Sequence, residues 1–302
     1  MSNLPFISII VPVYNGQDTV RDCLESLLKQ NYPQDRYEII AVDNNSTDNT
    51  AAIIKSFSIQ YLKETKQQGP SAARNTGTKA AKGEVFVFFD ADQVAEKDYL
   101  VKLLQGWPEP QYGAFSGLNK TVSGKDNLVT QYWAEEWRLN VNAKHHPALP
   151  QFSGGLVAIP NAIFQKIGGF DENMRTCEDT DLAWRLQKEL GLKIKYNHDA
   201  ISYHQERVDI RSLLRREFAF GAGSYILSKK HKEATRPLSR SLFSALKRTV
   251  LGVLAMILGL FKFCIGKYRV RNFQLTIMGI AMTWANFFGK AYSAIKIPKA
   301  TT

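Results

Sequence analysis

Cysteine is scarce in this 302-residue chain, and the three present, Cys23, Cys177 and Cys264, stand far apart. That spacing fits neither a structural metal knuckle nor a disulfide framework, and a reducing compartment is the simple reading. The start, M-S-N-L-P-F, has no basic stretch followed by an apolar one. No cleaved leader is expected, and the N-terminal part is expected to face the cytosol. Neither G-x-G-x-x-G nor G-x-x-x-x-G-K-[ST] occurs, which removes support for a dinucleotide oxidoreductase and for a P-loop ATPase. Carboxylates are nearly missing from the last third. Residues 205–302 hold 18 Lys and Arg against 4 Asp and Glu, a balance of +14, whereas residues 1–204 hold 21 against 24, a balance of −3. The net charge of +11 therefore belongs to the tail.

With 44% hydrophobic and 11% aromatic residues, the chain can build a core for one large domain, with or without an appendage. Its organising stretch is E-V-F-V-F-F-D-A-D-Q, Glu84 to Gln93. Val85 to Phe89 has the composition of a strand covered on both faces. Asp90 and Asp92 follow, two apart, and on an extended strand end they would leave one face and converge on one cation or phosphate. An acidic turn after a strand is the competing reading.

Other strands are expected at Phe6–Val11 and Tyr37–Val42, with helices over Val20–Lys29, capped by Asp18, and near Thr50–Ser56. Short β-α-β units imply right-handed parallel connections, and ligands of such sheets bind beyond the carboxyl ends of the strands. Pro12, Tyr14, Asn15, Asp43, Asp90 and Asp92 all fall at those ends. Asp43 is either a helix cap or, with Tyr14 stacking, an acceptor for the N–H of a nucleobase. In G-P-S-A-A-R-N-T-G, Arg74 lies inside a helix, where it can pair with Asp90, meet a phosphate, or face solvent. Beyond Asp92 the expectations are a helix at Tyr99–Gln105, a strand at Ala114–Leu118, a helix at Leu128–Asn140 and a loop holding His145 and His146 as exposed residues. Phe152–Ile159 reads as a strand whose Gly154 and Gly155 let a ligand lie against the backbone. Glu178, Asp179 and Asp181 open a helix whose dipole they complement. At the mouth of a nucleotide site Asp179 would also serve as a base, kept ionised by helix-terminal N–H groups.

Taken together, I-S-I-I-V-P-V-Y-N-G, V-D-N-N-S-T-D-N-T, G-P-S-A-A-R-N-T-G, F-F-D-A-D, the glycine pair with G-G-F-D-E, and E-D-T-D-L-A-W-R resemble family 2 glycosyltransferases over residues 6–204. The resemblance implies the GT-A fold, an α/β, Rossmann-like, mostly parallel central sheet flanked by helices. It also implies inverting transfer from a nucleotide diphosphate sugar with a divalent cation, Mg2+ or Mn2+. By that resemblance Pro12, Tyr14, Asn15 and Asp43 would hold the base of the donor, Arg74 and Asp90 the nucleoside, and Asp92 the metal. Asp179 would be the catalytic base, with Gly154, Gly155, Glu178 and Asp181 around it. His204 falls where some relatives place a further metal ligand; a plain strand-end histidine is the alternative. The Q-x-x-R-W of processive synthases is missing, and R-R-E-F-A-F-G-A-G from Arg215 to Gly223 stands nearby instead. One sugar per encounter is expected.

The tail decides the address. Thr249–Phe261 and Asn272–Gly289 run 13 and 18 residues without charge, bracketed by Lys247, Arg248, Lys262, Lys267, Arg269, Arg271 and Lys290. Two full crossings would put the middle cations on the far side, against the positive-inside tendency. A hairpin in the cytoplasmic leaflet avoids this and touches anionic headgroups. The expectation is a catalytic domain over 1–230 and a membrane-associated helical hairpin over 231–302, anchored at the cytoplasmic face of the cell membrane. A lipid-linked or glycan acceptor follows, with a UDP-sugar preferred to a GDP-sugar as donor. Nucleic acid is not an expected partner, because no stacking aromatics interleave the basic residues in a polar groove. A catalytically silent sugar-nucleotide-binding scaffold is the alternative.

Overall fold

The computed structural model describes residues 4–122, 129–130, 149–205, 209–231, 238–264 and 270–296. The expected helix over Leu128–Asn140 lies outside them except at residues 129–130, and His145 and His146 lie outside them altogether. Contacts group residues 1–122 with 149–205 in one compact unit, and 123–148 with 206–302 in a second.

The first unit is α/β, as expected. Strands β1 (Ile7–Val13), β2 (Tyr37–Asp43), β3 (Gln60–Lys63), β4 (Val85–Phe89), β5 (Gln93–Ala95), β6 (Tyr112–Val122), β7 (Leu156–Pro160) and β8 (Lys193–Gln205) form one sheet in the order β3-β2-β1-β4-β7-β6-β8-β5. The pairs β3/β2, β2/β1 and β1/β4 are parallel, whereas β7 runs antiparallel to both β4 and β6. The half made of β3, β2, β1 and β4 is parallel; the other half is mixed.

Helices α1 (Val20–Leu28), α2 (Thr50–Lys55) and α3 (Pro70–Ala80) connect the parallel strands. On one sheet face Ile9, Val11, Val87 and Phe89 pack with Val20, Leu24 and Leu27 of α1. On the other, Ile40 and Val42 meet Ala73 of α3, and Phe86 and Phe88 meet the rings of Phe164 and Phe170. Every residue of β4 is buried, which is why its sequence is unbroken apolar rather than alternating. Each such Phe stabilises the unit by roughly 1.5–3 kcal/mol through burial alone. Gly77 lets α3 lie this close: a Cβ there would stand 2.5 Å from Ile10 Cγ2.

Helix α4 (Tyr99–Leu103) follows β5, and α5 (Asn161–Lys166) follows β7. Helix α6 (Glu178–Leu190) buries Leu182, Trp184 and Leu186 and ends on Gly191 at φ +67, where the Gly191 N–H donates to the Gln187 carbonyl. Asp18 is not the cap of α1. That helix begins after Thr19, and its first amides, Thr19 N–H and Val20 N–H, donate to the Gly16 carbonyl.

The second unit holds α7 (Ile210–Lys230), α8 (Leu238–Cys264) and α9 (Val270–Lys296). Asp209 caps α7, accepting from Ser212 N–H at 2.7 Å. Helices α7 and α9 meet backbone to backbone: a Cβ at Gly221 would stand 1.9 Å from the Asn286 carbonyl oxygen, and one at Gly289 1.9 Å from that of Phe218. Trp284 Nε1–H donates to Thr249 Oγ1 at 3.0 Å and Lys290 Nζ to Ser241 Oγ at 3.2 Å, so α8 and α9 run antiparallel as a hairpin. Both helices extend beyond the uncharged runs of the sequence. Within α8, Leu238–Gly259 is long and apolar enough to cross a membrane, with mean hydropathy 1.6 and 11% of its most apolar window buried. Phe243, Leu246, Val250, Leu254, Ile257 and Leu258 are exposed along it.

Candidate active site

Three parallel strand ends and the start of α6 supply the polar groups. At the end of β1, Pro12 is still in the strand, Tyr14 is exposed at 59%, and Asn15 adopts φ +48. Asn15 latches this turn to the one after β2: its N–H donates to Ser46 Oγ at 2.9 Å, and its Oδ1 accepts from Thr47 N–H at 2.8 Å. Asp43 ends β2 and is buried. Its Oδ1 accepts from Ser46 N–H at 2.9 Å and its Oδ2 from the Tyr61 hydroxyl at 3.2 Å. Each oxygen keeps a second lone pair. Burial, and then the Asp43 carboxylate, push the Tyr61 hydroxyl pKa up, so it stays a donor to Asp43. Tyr61 is a site residue that the sequence did not mark.

Asp90 and Asp92 do not share one face of an extended strand. Gln93 N–H donates to the Asp90 carbonyl at 3.2 Å, so residues 90–93 make a turn that sends the two carboxylates to different partners. Asp90 Oδ1 accepts from Arg74 Nη2 at 2.7 Å, while Arg74 Nη1 donates to Glu178 Oε1 at 2.8 Å. The Arg74 side chain is 4% exposed and sits over the Phe170 ring, 5.3 Å from its centre. Among the described residues its buried Nε has no hydrogen-bond partner. One buried cation thus ties α3, the end of β4 and the start of α6 together.

Gly154 and Gly155 face that cluster. A Cβ at Gly154 would lie 3.1 Å from Arg74 Cζ, and one at Gly155 would lie 2.1 Å from Asp90 Oδ2. What occupies the space a side chain would need here is therefore the guanidinium and the carboxylate themselves. Both glycines precede β7, in a turn closed by Leu156 N–H donating to the Ser153 carbonyl at 3.1 Å, whereas the strand was expected from Phe152.

Cys177, at φ +62, turns the chain into α6 and sets three acids in its first turn. Asp179 Oδ1 accepts from Thr180 N–H at 2.7 Å and Oδ2 from Gly154 N–H at 3.1 Å. Despite these bonds, burial raises the Asp179 carboxyl above the ordinary aspartate range, and the nearby Asp90 charge adds to the effect. Burial also raises Glu178, helped by Asp179 and opposed by Arg74. The N–H donors expected to favour the ionised form of Asp179 are present, but burial outweighs them. Asp181 has no exposed surface and so cannot meet a substrate directly. It accepts from Arg185 Nε at 2.8 Å, and Arg185 in turn donates to the Ile167 and Gly169 carbonyls, each at 2.7 Å. Arg185, unmarked in the sequence reading, fastens the G-G-F loop to α6.

On the far side of Asp90, β5 pairs antiparallel with β8 so that Gln93 stands opposite His204. His204 Nε2 comes to 3.2 Å from Asp92 Oδ2. A carboxylate and an imidazole are donors that Mn2+ accepts. Among the described residues no group of three or more His, Cys, Asp or Glu forms a complete metal cage. Asp92 and His204 thus offer two donor groups and not a complete metal site.

Residues 8–168 match the family model described as Glycosyl transferase family 2. The chain is 29% identical over 236 residues to Glycosyltransferase AglE of Haloferax volcanii, a match covering 74% of each protein. It is 26% identical over 242 residues to the Methanococcus voltae protein named dolichyl N-acetyl-alpha-D-glucosaminyl phosphate 3-beta-D-2,3-diacetamido-2,3-dideoxy-beta-D-glucuronosyltransferase, again over 74% of each. Other relatives are longer, and the match spans about half their length. Among solved structures, mannosyltransferase PcManGT from Pyrobaculum calidifontis, in complex with GDP-Man and Mn2+, is similar with a TM-score of 0.68 at 20% identity, covering 98% of this chain and 89% of that one. At this identity the likeness speaks for the fold.

Proposed function

The chain belongs to glycosyltransferase family 2, with the GT-A fold, and is a glycosyltransferase; from that premise we propose that it inverts the anomeric centre while moving one sugar per encounter from a nucleotide diphosphate sugar to an acceptor hydroxyl. The observation that carries this reading is the Asp90-Arg74-Glu178 bridge with Asp179 beside it, at the strand ends where such sheets bind nucleotides. Tyr14, Pro12 and Asn15 form the wall for the base, and Asp43 offers it an acceptor. Arg74 and Asp90 fix the nucleoside end, and Gly154 and Gly155 keep that wall thin.

Asp179 takes the proton of the acceptor hydroxyl as its oxygen attacks the anomeric carbon opposite the diphosphate. A carboxyl whose affinity for protons is raised by burial suits this task better than an exposed one. Glu178 acts through Arg74, and Asp181 acts through Arg185, so both position the site rather than touch the reacting atoms. Asp92 and His204 would hold a divalent cation, which when bound supplies positive charge to the leaving diphosphate.

We place the catalytic domain within residues 1–230 and the membrane-associated hairpin within 231–302, at the cytoplasmic face of the cell membrane. The exposed apolar length of α8 supports that address. A lipid-linked or glycan acceptor fits a membrane location, and the Methanococcus voltae relative is named for a dolichyl phosphate-linked one. The Asp43 and Tyr14 pair suits a UDP-sugar ahead of a GDP-sugar, although the Pyrobaculum protein holds GDP-Man. The test is release of nucleoside diphosphate from a panel of UDP- and GDP-sugars by detergent-solubilised protein, with a membrane lipid extract as acceptor, in Mn2+ or EDTA. Release from one donor, abolished by EDTA, is expected. Release undiminished by EDTA would remove the metal from the account, and metal-dependent nucleotide binding with no release from any donor would favour the silent scaffold.

A further inference from the structure

Helix α3 carries Arg74 and Asn75 side by side, and both meet Phe170 of the loop between α5 and α6. Arg74 lies over the ring, whereas Asn75 grips the backbone of the same residue. Asn75 Nδ2 donates to the Phe170 carbonyl at 2.9 Å, and Phe170 N–H donates to Asn75 Oδ1 at 3.1 Å. Nδ2 also donates to Glu172 Oε1 at 2.9 Å, so both amide hydrogens are used and the orientation of the side chain is fixed. Gly169 admits this approach: at φ +70, a Cβ there would stand 2.9 Å from Asn75 Oδ1. The Phe170 ring is buried, edge-on to Phe88 with centres 5.0 Å apart and 5.7 Å from the centre of Phe164.

This loop has other fastenings. Ser71 Oγ donates to the Met174 carbonyl at 2.9 Å and Gln67 Nε2 to the Glu172 carbonyl at 3.1 Å. Among the described residues, however, the backbone polar groups of Phe170 bond to Asn75 alone. The guanidinium above has carboxylates at Nη1 and Nη2 and no partner at Nε, which leaves the ring face as its further support. We propose that Asn75 is a positioning residue for Arg74: by holding the backbone of Phe170 it sets the ring on which the guanidinium lies, and thereby the affinity of the site for its nucleotide. The proposal rests on the reading above, in which Arg74 and Asp90 fix the nucleoside end of the donor, and adds to it the residue that sets Arg74.

The test is calorimetric titration of the detergent-solubilised full chain with UDP and with GDP, each with Mn2+, beside thermal unfolding. Asn75→Ala leaves both backbone groups of Phe170 unpaired and should weaken binding of the nucleotide the parent prefers about tenfold, on the scale of supports behind metal ligands. Phe170→Leu removes the ring and should do the same. Arg74→Lys keeps the charge but loses the planar fork and its stacking, and should also weaken binding. In either of these backgrounds Asn75→Ala should weaken binding by less than about twofold more, because the three residues act in one chain. Asn197→Ala is the control for stability alone. Its Nδ2 donates to the Leu103 and Gln105 carbonyls, at 2.7 and 3.1 Å, so this variant should melt lower, as Asn75→Ala does, yet bind nucleotide like the parent. Asn75→Ser, which keeps a small hydrogen-bonding group, replaces Asn75→Ala if the latter does not fold.

Parental affinity in Asn75→Ala while Arg74→Lys binds weakly would overturn the proposal alone. So would full addition of the Asn75→Ala and Arg74→Lys effects, or equal weakening by Asn197→Ala, since either would reduce Asn75 to a contributor to stability. Parental affinity in Arg74→Lys would overturn the role given to Arg74, and a parent that binds neither nucleotide would overturn the nucleotide site itself; the proposal falls with each.

Discussion

Gly155→Ala puts one methyl carbon where Asp90 already stands. The new Cβ would lie 2.1 Å from Asp90 Oδ2 and 2.2 Å from its Cγ, against about 3.5 Å for relaxed carbon contacts. Asp90 must retreat by more than about 1 Å, which carries its 2.7 Å bond to Arg74 past hydrogen-bond reach. Breaking a fully buried ion pair costs about 3–5 kcal/mol. Asp90 is 32% exposed and Arg74 keeps Glu178, so water and the second carboxylate offset part of this, leaving about 2–3 kcal/mol. For a unit of this size the melting temperature should fall by roughly 4–12 °C. Turnover should fall about 100-fold, the usual effect of a 1 Å displacement at a site. The assays are thermal unfolding and nucleoside diphosphate release, run beside Gly155→Ala on an Asp90→Ala background. There the clash is gone, and the two substitutions should couple by about 1–2 kcal/mol rather than add. Gly168→Ala is the control, since its Cβ meets nothing within 4 Å and only the φ of +78 opposes it, a cost of about 1 kcal/mol. A Gly155→Ala protein that melts and turns over like the parent would refute the reasoning.

Arg185→Lys keeps a charge for Asp181 but loses the planar fork that reaches the Ile167 and Gly169 carbonyls, and should cost about 2–3 kcal/mol in thermal unfolding; an unchanged melting point would mean the loop is held elsewhere. The rate should also report the state of Asp179. Because a base must be ionised, turnover at saturating donor should rise with pH through the raised folded value of this carboxyl, so the acid limb should lie above the position an exposed aspartate gives, near pH 4. An acid limb at the ordinary value would mean that burial does not control this group.

The parallel half of the sheet was legible because both its faces are covered. Val85 to Phe89 is continuous apolar sequence, and it is the central strand with the ends expected. β3 was invisible for the opposite reason: Gln60 to Lys63 is an edge strand with no buried residue, yet it delivers Tyr61 to Asp43. The glycine pair was recognised as a place where backbone lies close to something bulky, but spacing could not say that the neighbours are Arg74 and Asp90. Asp90 and Asp92 looked like partners on one strand face; a turn separates them. The closeness of Asp92 to His204 depends on pairing between β5 and β8, more than a hundred residues apart, and no local pattern carries that register. Only the family resemblance pointed to it. Asp181 read as one more acid of a first helical turn, and its pairing with Arg185 four residues on is visible in the sequence once the helix is granted.

The central claim is that Asp179 removes the acceptor proton while other groups hold the donor. Asp179→Asn keeps the side chain's shape, so the direct measurement is turnover and donor affinity of this variant side by side. Turnover lower by about 10²–10⁴-fold, with the nucleotide diphosphate sugar bound as tightly as by the parent, is the predicted result. Parental turnover in the variant, or turnover and donor binding lost together, would contradict it.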